Sequence, residues 1–251
     1  MKNLKLLVGR ILTSDILYHC IVAPINNSDL YKVKGYNLDL KNQPNFIKSS
    51  IFLGLYERSE INCIAKYLNP DLPVMELGCS IGATSMTILK TIKNKKLISV
   101  EANPLLLKNL QSTQKINNLS NWHIINKAVD YSGKDHISFA IDPGNLGSKK
   151  SETNSTDKDV LVPTVTISEL LNAYKIDTNF NLVCDIEGAE IEFILNDSKT
   201  LKERCNTLII ELHDTIYSSI KYSKNEIAEL IVATCEMKLI HSDNKSWIFV
   251  K

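Results

Sequence analysis

The chain predicts an α/β fold in which a doubly wound, mostly parallel seven-stranded sheet ends in a C-terminal antiparallel hairpin strand. Three observations point there. From Leu72 onward, short runs rich in Val, Ile and Leu alternate with longer segments of helical character, the pattern of parallel strands joined by helical crossovers. Near the C-terminus that rhythm breaks: a helix predicted over 225–235 precedes two apolar runs, 238–241 and 247–250, joined as a hairpin by Ser242-Asp243-Asn244-Lys245. Finally, 251 residues that are 44% hydrophobic suffice for one sizeable core.

Residues 1–50 read as a helical and extended extension packing on the core, and 51–251 as the main domain. Within the extension, 4–18 has the apolar spacing of an amphipathic helix. The longest uncharged run there, 16–27, falls short of the roughly 20 residues a membrane-spanning helix needs, so neither a span nor an export signal is expected. The first strand, 73–77, passes through a helix over 83–93 to the second, 97–101. A helix over 104–117 follows, started by Pro104, whose missing N–H suits a first helical turn. Strands over 122–125, 182–185 and 207–212 complete the parallel set. Segments 137–141 and 160–165 read as short extra strands flanking 142–159, a polar, Gly-containing stretch that is either a lid or a plain insertion.

Lys+Arg 29 against Asp+Glu 28 gives a formal charge of +1, so no global field would draw in nucleic acid or an anionic membrane. The six cysteines lack any C-x-x-C pair, which fits a reduced, cytoplasmic protein. Nothing in the pattern specifies an oligomeric state.

The first predicted strand runs into Glu76-Leu77-Gly78-Cys79-Ser80-Ile81-Gly82, a Gly-x-x-x-Gly turn that opens a helix. Gly78 can take positive φ and leaves no side chain between loop and ligand, while Gly82 permits close helix approach. Cys79-Ser80 stands where a dinucleotide fingerprint needs its middle Gly, and no Gly-Lys-Ser/Thr follows, so a ligand without phosphate is favoured. Glu101 closes the second strand 23 positions after Gly78, where a carboxylate accepts ribose hydroxyls. Loop and acid together imply an adenosine-bearing ligand; taken singly, each is also what an ordinary strand-end turn provides.

The fourth strand ends in Asp185-Ile186-Glu187-Gly188-Ala189-Glu190, and the fifth in Glu211-Leu212-His213. One acid there could cap the next helix. Several in one crevice cost free energy unless a ligand, a proton or a metal compensates. Glu211 and His213 share a face by period-two alternation.

The glycine loop, Glu101 and the terminal hairpin resemble the class I S-adenosylmethionine-dependent methyltransferases, whose sheet is Rossmann-like. That resemblance implies that Glu76 lies near the methionine end of the cofactor, that Gly78, Ser80 and Gly82 belong to the loop wrapping it, and that Glu101, beside Ala102, holds the ribose. Ala128 would border the adenine. The acidic motif, with Glu211-Leu212-His213 and the earlier Gly54-Leu55-Tyr56-Glu57, is similar to the FkbM methyltransferases over roughly 35–212. Members O-methylate hydroxyls of sugars and of sugar-like or polyketide products, which implies a saccharide or other small-molecule acceptor, with Glu57 and Asp185 near the cofactor. Where many relatives carry Lys, this chain has Val183, so a role for that Lys does not transfer.

For methyl transfer, near-attack alignment can supply roughly 7 to 11 kcal/mol and a placed base about 10² to 10⁴ in rate. His213 is the favoured base, since an imidazole titrates near about 6.5, with Asp185 as the alternative. Glu187 and Glu211 would orient the substrate hydroxyls or the imidazole. A divalent metal on Asp185, Glu187 and Glu211 is a competing, less favoured device. Asn145 and Ser148 could close over an acceptor. A nucleic-acid amino-methyltransferase is disfavoured by the residues after strand four, and a nicotinamide oxidoreductase by the glycine loop. A non-catalytic cofactor-binding subunit is the remaining alternative.

Overall fold

The computed structural model describes residues 15–140, 149–150, 159–243 and 245–251. After a helical segment over 15–25, strands β1 (Leu30–Val33) and β2 (Tyr36–Asp39) form an antiparallel hairpin. Its turn, Lys34-Gly35, has φ of 51° and 95°, the pairing that two-residue hairpins favour because it follows the strand twist. Helices α1 (Asn45–Phe52) and α2 (Arg58–Tyr67) lead to β3 (Val74–Leu77), α3 (Ala83–Ile92) and β4 (Leu97–Val100). A 3₁₀ turn at Pro104–Leu106, capped by the Asn103 side chain accepting from Leu105 N at 3.0 Å, opens α4 (Leu107–Ile116).

Strand β5 (Trp122–Ile125) is followed by β6 (Ala128–Val129), β7 (His136–Ala140), β8 (Lys149–Lys150) and β9 (Asp159–Val165). The last four make a small sheet in the order β6-β9-β7-β8. A capping box between Thr166 and Glu169 starts α5 (Ile167–Ala173). Then come β10 (Phe180–Cys184), α6 (Glu190–Asn196), α7 (Ser198–Arg204), β11 (Cys205–Glu211), the hairpin β12 (Thr215–Tyr217) and β13 (Ile220–Tyr222), α8 (Lys224–Thr234), β14 (Lys238–Ser242) and β15 (Ser246–Val250).

The central sheet has the order β14-β15-β11-β10-β3-β4-β5, with β15 antiparallel to β11 and to β14 and the rest parallel. Its two faces feed two cores. Alternation sends Met75, Leu77, Leu182 and Cys184 to one and Val74 and Val183 to the other. Val22, Tyr31, Leu38, Leu40, Ile47 and Ile51 fill the second core beside Met86 and Leu89, so residues from the first part of the chain cover that face. Chain order runs outward from β3 through β4 to β5, then returns to β10 on the other side. The β3/β10 boundary is therefore a switch point, where a crevice opens beyond the strand ends.

The sheet is the predicted one, hairpin included. Within residues 1–50, expected as a helical and extended extension, the extended part is the β1–β2 hairpin closed by Lys34-Gly35. The predicted strands over 137–141 and 160–165 correspond to β7 and β9, paired antiparallel, with Ile141 outside the described residues. Most of the predicted helix over 4–18, nearly all of the 142–159 segment with Asn145 and Ser148, and Asn244 of the hairpin turn also lie outside the described residues. Among the described residues no helix is long and apolar enough to cross a membrane.

Candidate active site

A cavity of about 680 Å³ lies over the carboxyl ends of β3, β4 and β10. Its floor is the loop after β3. Asp185 N donates to Leu77 O at 2.9 Å, which locks the two strand ends together. The loop then passes so close to β10 that a Cβ on Gly78 would sit 1.9 Å from the Asp185 carbonyl oxygen, and φ of 83° there also requires Gly. Gly82, at φ 86°, starts α3 against Leu110 and Trp122; it packs and does not line the cavity.

Ser80 N donates to Glu101 Oε2 at 2.7 Å, and Asn103 N donates to Oε1 at 2.8 Å. Glu101 thus holds the glycine loop while lining the cavity with Ala102 and Ala128. Burial pushes its carboxyl up to about 7, against the pull of those two N–H groups. Across the opening, Tyr56 OH lies 3.3 Å from Ser80 Oγ.

Glu76 differs from what the resemblance implies. It is 1% exposed and absent from the cavity wall. Thr84 and Ser85 donate to it at 2.8 and 2.6 Å, and Ser99 donates as well, while Trp122 Nε1 donates to Ser99 Oγ at 2.8 Å. The carboxylate staples β3 to α3 and β4, beneath the loop.

The other end of the cavity is acidic. Glu57, Glu60, Asp185, Glu187 and Glu192 line it, and Lys127 is the basic residue among the described lining. Asp185 Oδ1 is sealed from solvent without a hydrogen-bond partner. Burial, then Glu211, Glu187 and Glu57, push the Asp185 carboxyl up to about 7, while His213 pulls it down. Burial first, then Asp185 and Glu57, hold Glu60 well above the usual carboxylate range. Glu57 stands at the N-terminal boundary of α2 in a left-handed conformation, with no side-chain capping bond to the helix, and its carboxylate lies 3.8 Å from Lys245 Nζ, which is 3.7 Å from Glu211 Oε2.

His213 and Glu211 stand behind this wall and do not line it. His213 Nδ1 is 2.8 Å from Glu190 Oε1, and Nε2 is 3.7 Å from Glu187 and 3.9 Å from Glu211. The hydrogen bond to Glu190 raises the imidazole above its ordinary value against the opposing effect of burial. The predicted carboxylate trio for a metal is not the set that converges: donor atoms of Asp185, Glu190 and His213 lie within 4.8 Å of one another.

Sequence reasoning missed Glu60, Lys245 and the pairing of Glu190 with His213. Glu60 sits one turn after Glu57 on α2, a spacing that could have revealed it. Lys245 is brought in by the hairpin turn, which carries no such signal.

The methyltransferase FkbM domain model matches residues 78–238. No curated protein matches the chain. Among solved structures, a precorrin-6y C5,15-methyltransferase from Geobacter metallireducens GS-15 is 12% identical, with 77% of this chain and 86% of that chain covered and a TM-score of 0.41. Aeropyrum pernix fibrillarin, solved with S-adenosyl-L-methionine bound, is 10% identical over 77% of this chain and 73% of that chain, TM-score 0.42. An rRNA methylase from Streptococcus thermophilus is 10% identical over 77% and 93%, TM-score 0.44.

Proposed function

The chain belongs to the FkbM methyltransferase family and uses S-adenosylmethionine, and from that premise we propose that it is a cytoplasmic O-methyltransferase acting on a hydroxyl of a sugar or glycan precursor. The observation that carries this is the pairing, in one cavity, of the Gly78–Glu101 seat with an acidic wall that includes Asp185. The residues fit the cofactor. About 680 Å³ lies within the roughly 300–1,000 Å³ usual for such ligands, Gly78, Ala102 and Ala128 leave its walls low, and the orphaned Asp185 Oδ1 calls for a donor. Residues 51–251 would be the methyltransferase domain and 1–50 its extension.

Gly78, Ser80, Glu101, Ala102 and Ala128 would hold the nucleoside part, with Glu57 and Asp185 toward the reacting end. The bound cofactor supplies a methyl group on a positively charged sulfur. Asp185 would take the hydroxyl proton as the acceptor oxygen receives that methyl group. Asp185 replaces the favoured His213 in this role because it lines the cavity and His213 does not. A carboxyl raised to about 7 is also matched to a proton transfer at neutral pH. Glu187, on the same wall, would orient acceptor hydroxyls, and a polar acceptor offers donors to this run of carboxylates.

The test is incubation with methyl-labelled cofactor and a panel of nucleotide-sugars and oligosaccharides, with wild type and Asp185→Asn. Label on a sugar oxygen, falling at least 100-fold in the variant while cofactor binding persists, is the expected result. Label on nitrogen, protein or lipid alone would refute the acceptor class.

A further inference from the structure

Glu190 is fully buried on the first turn of α6. Its Oε1 accepts the Gly188 N–H at 3.1 Å and faces His213 Nδ1 at 2.8 Å, while Oε2 is sealed off with no hydrogen-bond partner. A carboxylate so placed is costly unless a positive charge stands beside it. The imidazole is the group placed to supply it, and further acids face it from neighbouring elements. Glu187 in the turn after β10 and Glu211 at the end of β11 lie 3.7 and 3.9 Å from Nε2, and an Asp185 oxygen lies within the 4.8 Å cluster. The cations nearby, Lys245 and Lys224, act on Glu211.

We propose that Glu190 and His213 form a standing ion pair behind the cavity wall, with Glu190 as the positioning residue and the imidazolium as a fixed counter-charge to Asp185, Glu187 and Glu211 rather than a proton acceptor. The inference deepens the reading of Asp185 as the base and rests on it. A protonated imidazole has no free lone pair, so it cannot take the hydroxyl proton. Its charge instead favours the ionised form of Asp185, which burial and three carboxylates oppose. Without that counter-charge burial and the neighbouring carboxylates would hold the Asp185 proton more tightly.

The experiment is NMR of the full chain without acceptor, following the His213 ring by nitrogen-15 shifts and the Asp185 carboxyl by carbon-13 shifts across pH. In wild type both ring nitrogens carry protons at pH 7, with Nδ1–H directed at Glu190. In Glu190→Gln the imidazole titration falls, and that of Asp185 rises, by about one unit or more. A neutral His213 at pH 7 in wild type, or an Asp185 titration unmoved in Glu190→Gln, overturns the proposal. A merely structural Glu190 would shift neither group in opposite senses. If Glu190→Gln does not fold, His213→Gln reads the same rise at Asp185, and the wild-type ring measurement stands by itself. Failure of the acceptor panel would leave these spectra unchanged, so the two readings fail separately.

Discussion

Glu101 makes the ligand-free fold lose stability as pH rises through neutrality. Its carboxyl is 8% exposed, and burial moves it from an ordinary 4.5 to about 7. Between those values the unfolded chain gives up this proton first, so the folded state binds more protons and stability falls with pH. At about 1.4 kcal/mol per unit, a rise from 4.5 to about 7 is worth about 3 kcal/mol, fully present below pH 4.5 and gone above pH 7. The raised carboxyls of Glu60, Glu76, Asp185 and Glu211 act in the same sense. So does His213, whose contribution is present below its unfolded value and lost as pH passes its raised folded one.

The assay is urea unfolding of ligand-free wild type and Glu101→Gln at pH 5 and pH 8. Glutamine does not titrate, and it keeps one acceptor oxygen for the two N–H groups of Ser80 and Asn103. That loss is a pH-independent offset of about 1–3 kcal/mol. The stability difference, wild type minus variant, should therefore fall by about 2–3 kcal/mol from pH 5 to pH 8. Parallel curves, or a gap that grows in favour of wild type at pH 8, would refute the reasoning.

Other substitutions probe the seat and its supports. Gly78→Ala drives a methyl into the Asp185 carbonyl at 1.9 Å and strains φ of 83°, and should cost about 3 kcal/mol or more in urea unfolding. Gly82→Ala has a similar φ, but the atom it meets, at 3.0 Å, is a side-chain methyl of Leu110, so its cost should stay near about 1–2 kcal/mol; equal losses would contradict the distinction. Trp122→Phe removes the Nε1 donor to Ser99 Oγ and should lower stability by about 1–2 kcal/mol by thermal unfolding, since the Ser99–Glu76 bond persists. Lys245→Met withdraws a cation that holds Glu211 down, so carbon-13 titration should find that carboxyl higher than in wild type.

The sheet was readable because its strands are buried on both faces and so appear as mostly apolar runs, as in Phe180–Cys184, where Asn181 is the one polar residue. The terminal hairpin was readable for the opposite reason, two apolar runs separated by four polar residues. Less visible was the hairpin whose turn uses neither Asn nor Gly: Ser218-Ser219, at φ of 50° and 66°, joins β12 to β13 without a sequence signal. At the site, Gly78, Glu101 and Asp185 follow from strand ends, which topology carries to one edge. The depth of each side chain does not follow from spacing. Glu76 and Glu101 both stand at strand ends, yet one points under the loop to three hydroxyls and the other to the cavity. Likewise alternation puts Glu211 and His213 on one face without saying that Asp185 and Glu187 line the cavity and they do not.

The same contact that makes Gly78 irreplaceable joins the two halves of the chemistry. The loop that would seat the nucleoside rests on the backbone of Asp185, and the Asp185 N–H is bonded to Leu77, the last residue before that loop. The proposed cofactor seat and the proposed proton acceptor would therefore be fixed to each other through backbone atoms, whose positions a neighbouring side chain cannot easily shift. Alignment is the larger part of what a methyltransferase supplies. A rigid link at the β3/β10 boundary meets that demand, while Asp185 is left one orphaned oxygen and the opposing influences of Glu187, Glu211 and His213 to set its charge. Rearranging the acidic wall should thus alter the pH at which transfer occurs far more than the affinity for the nucleoside, because the seat does not pass through those side chains.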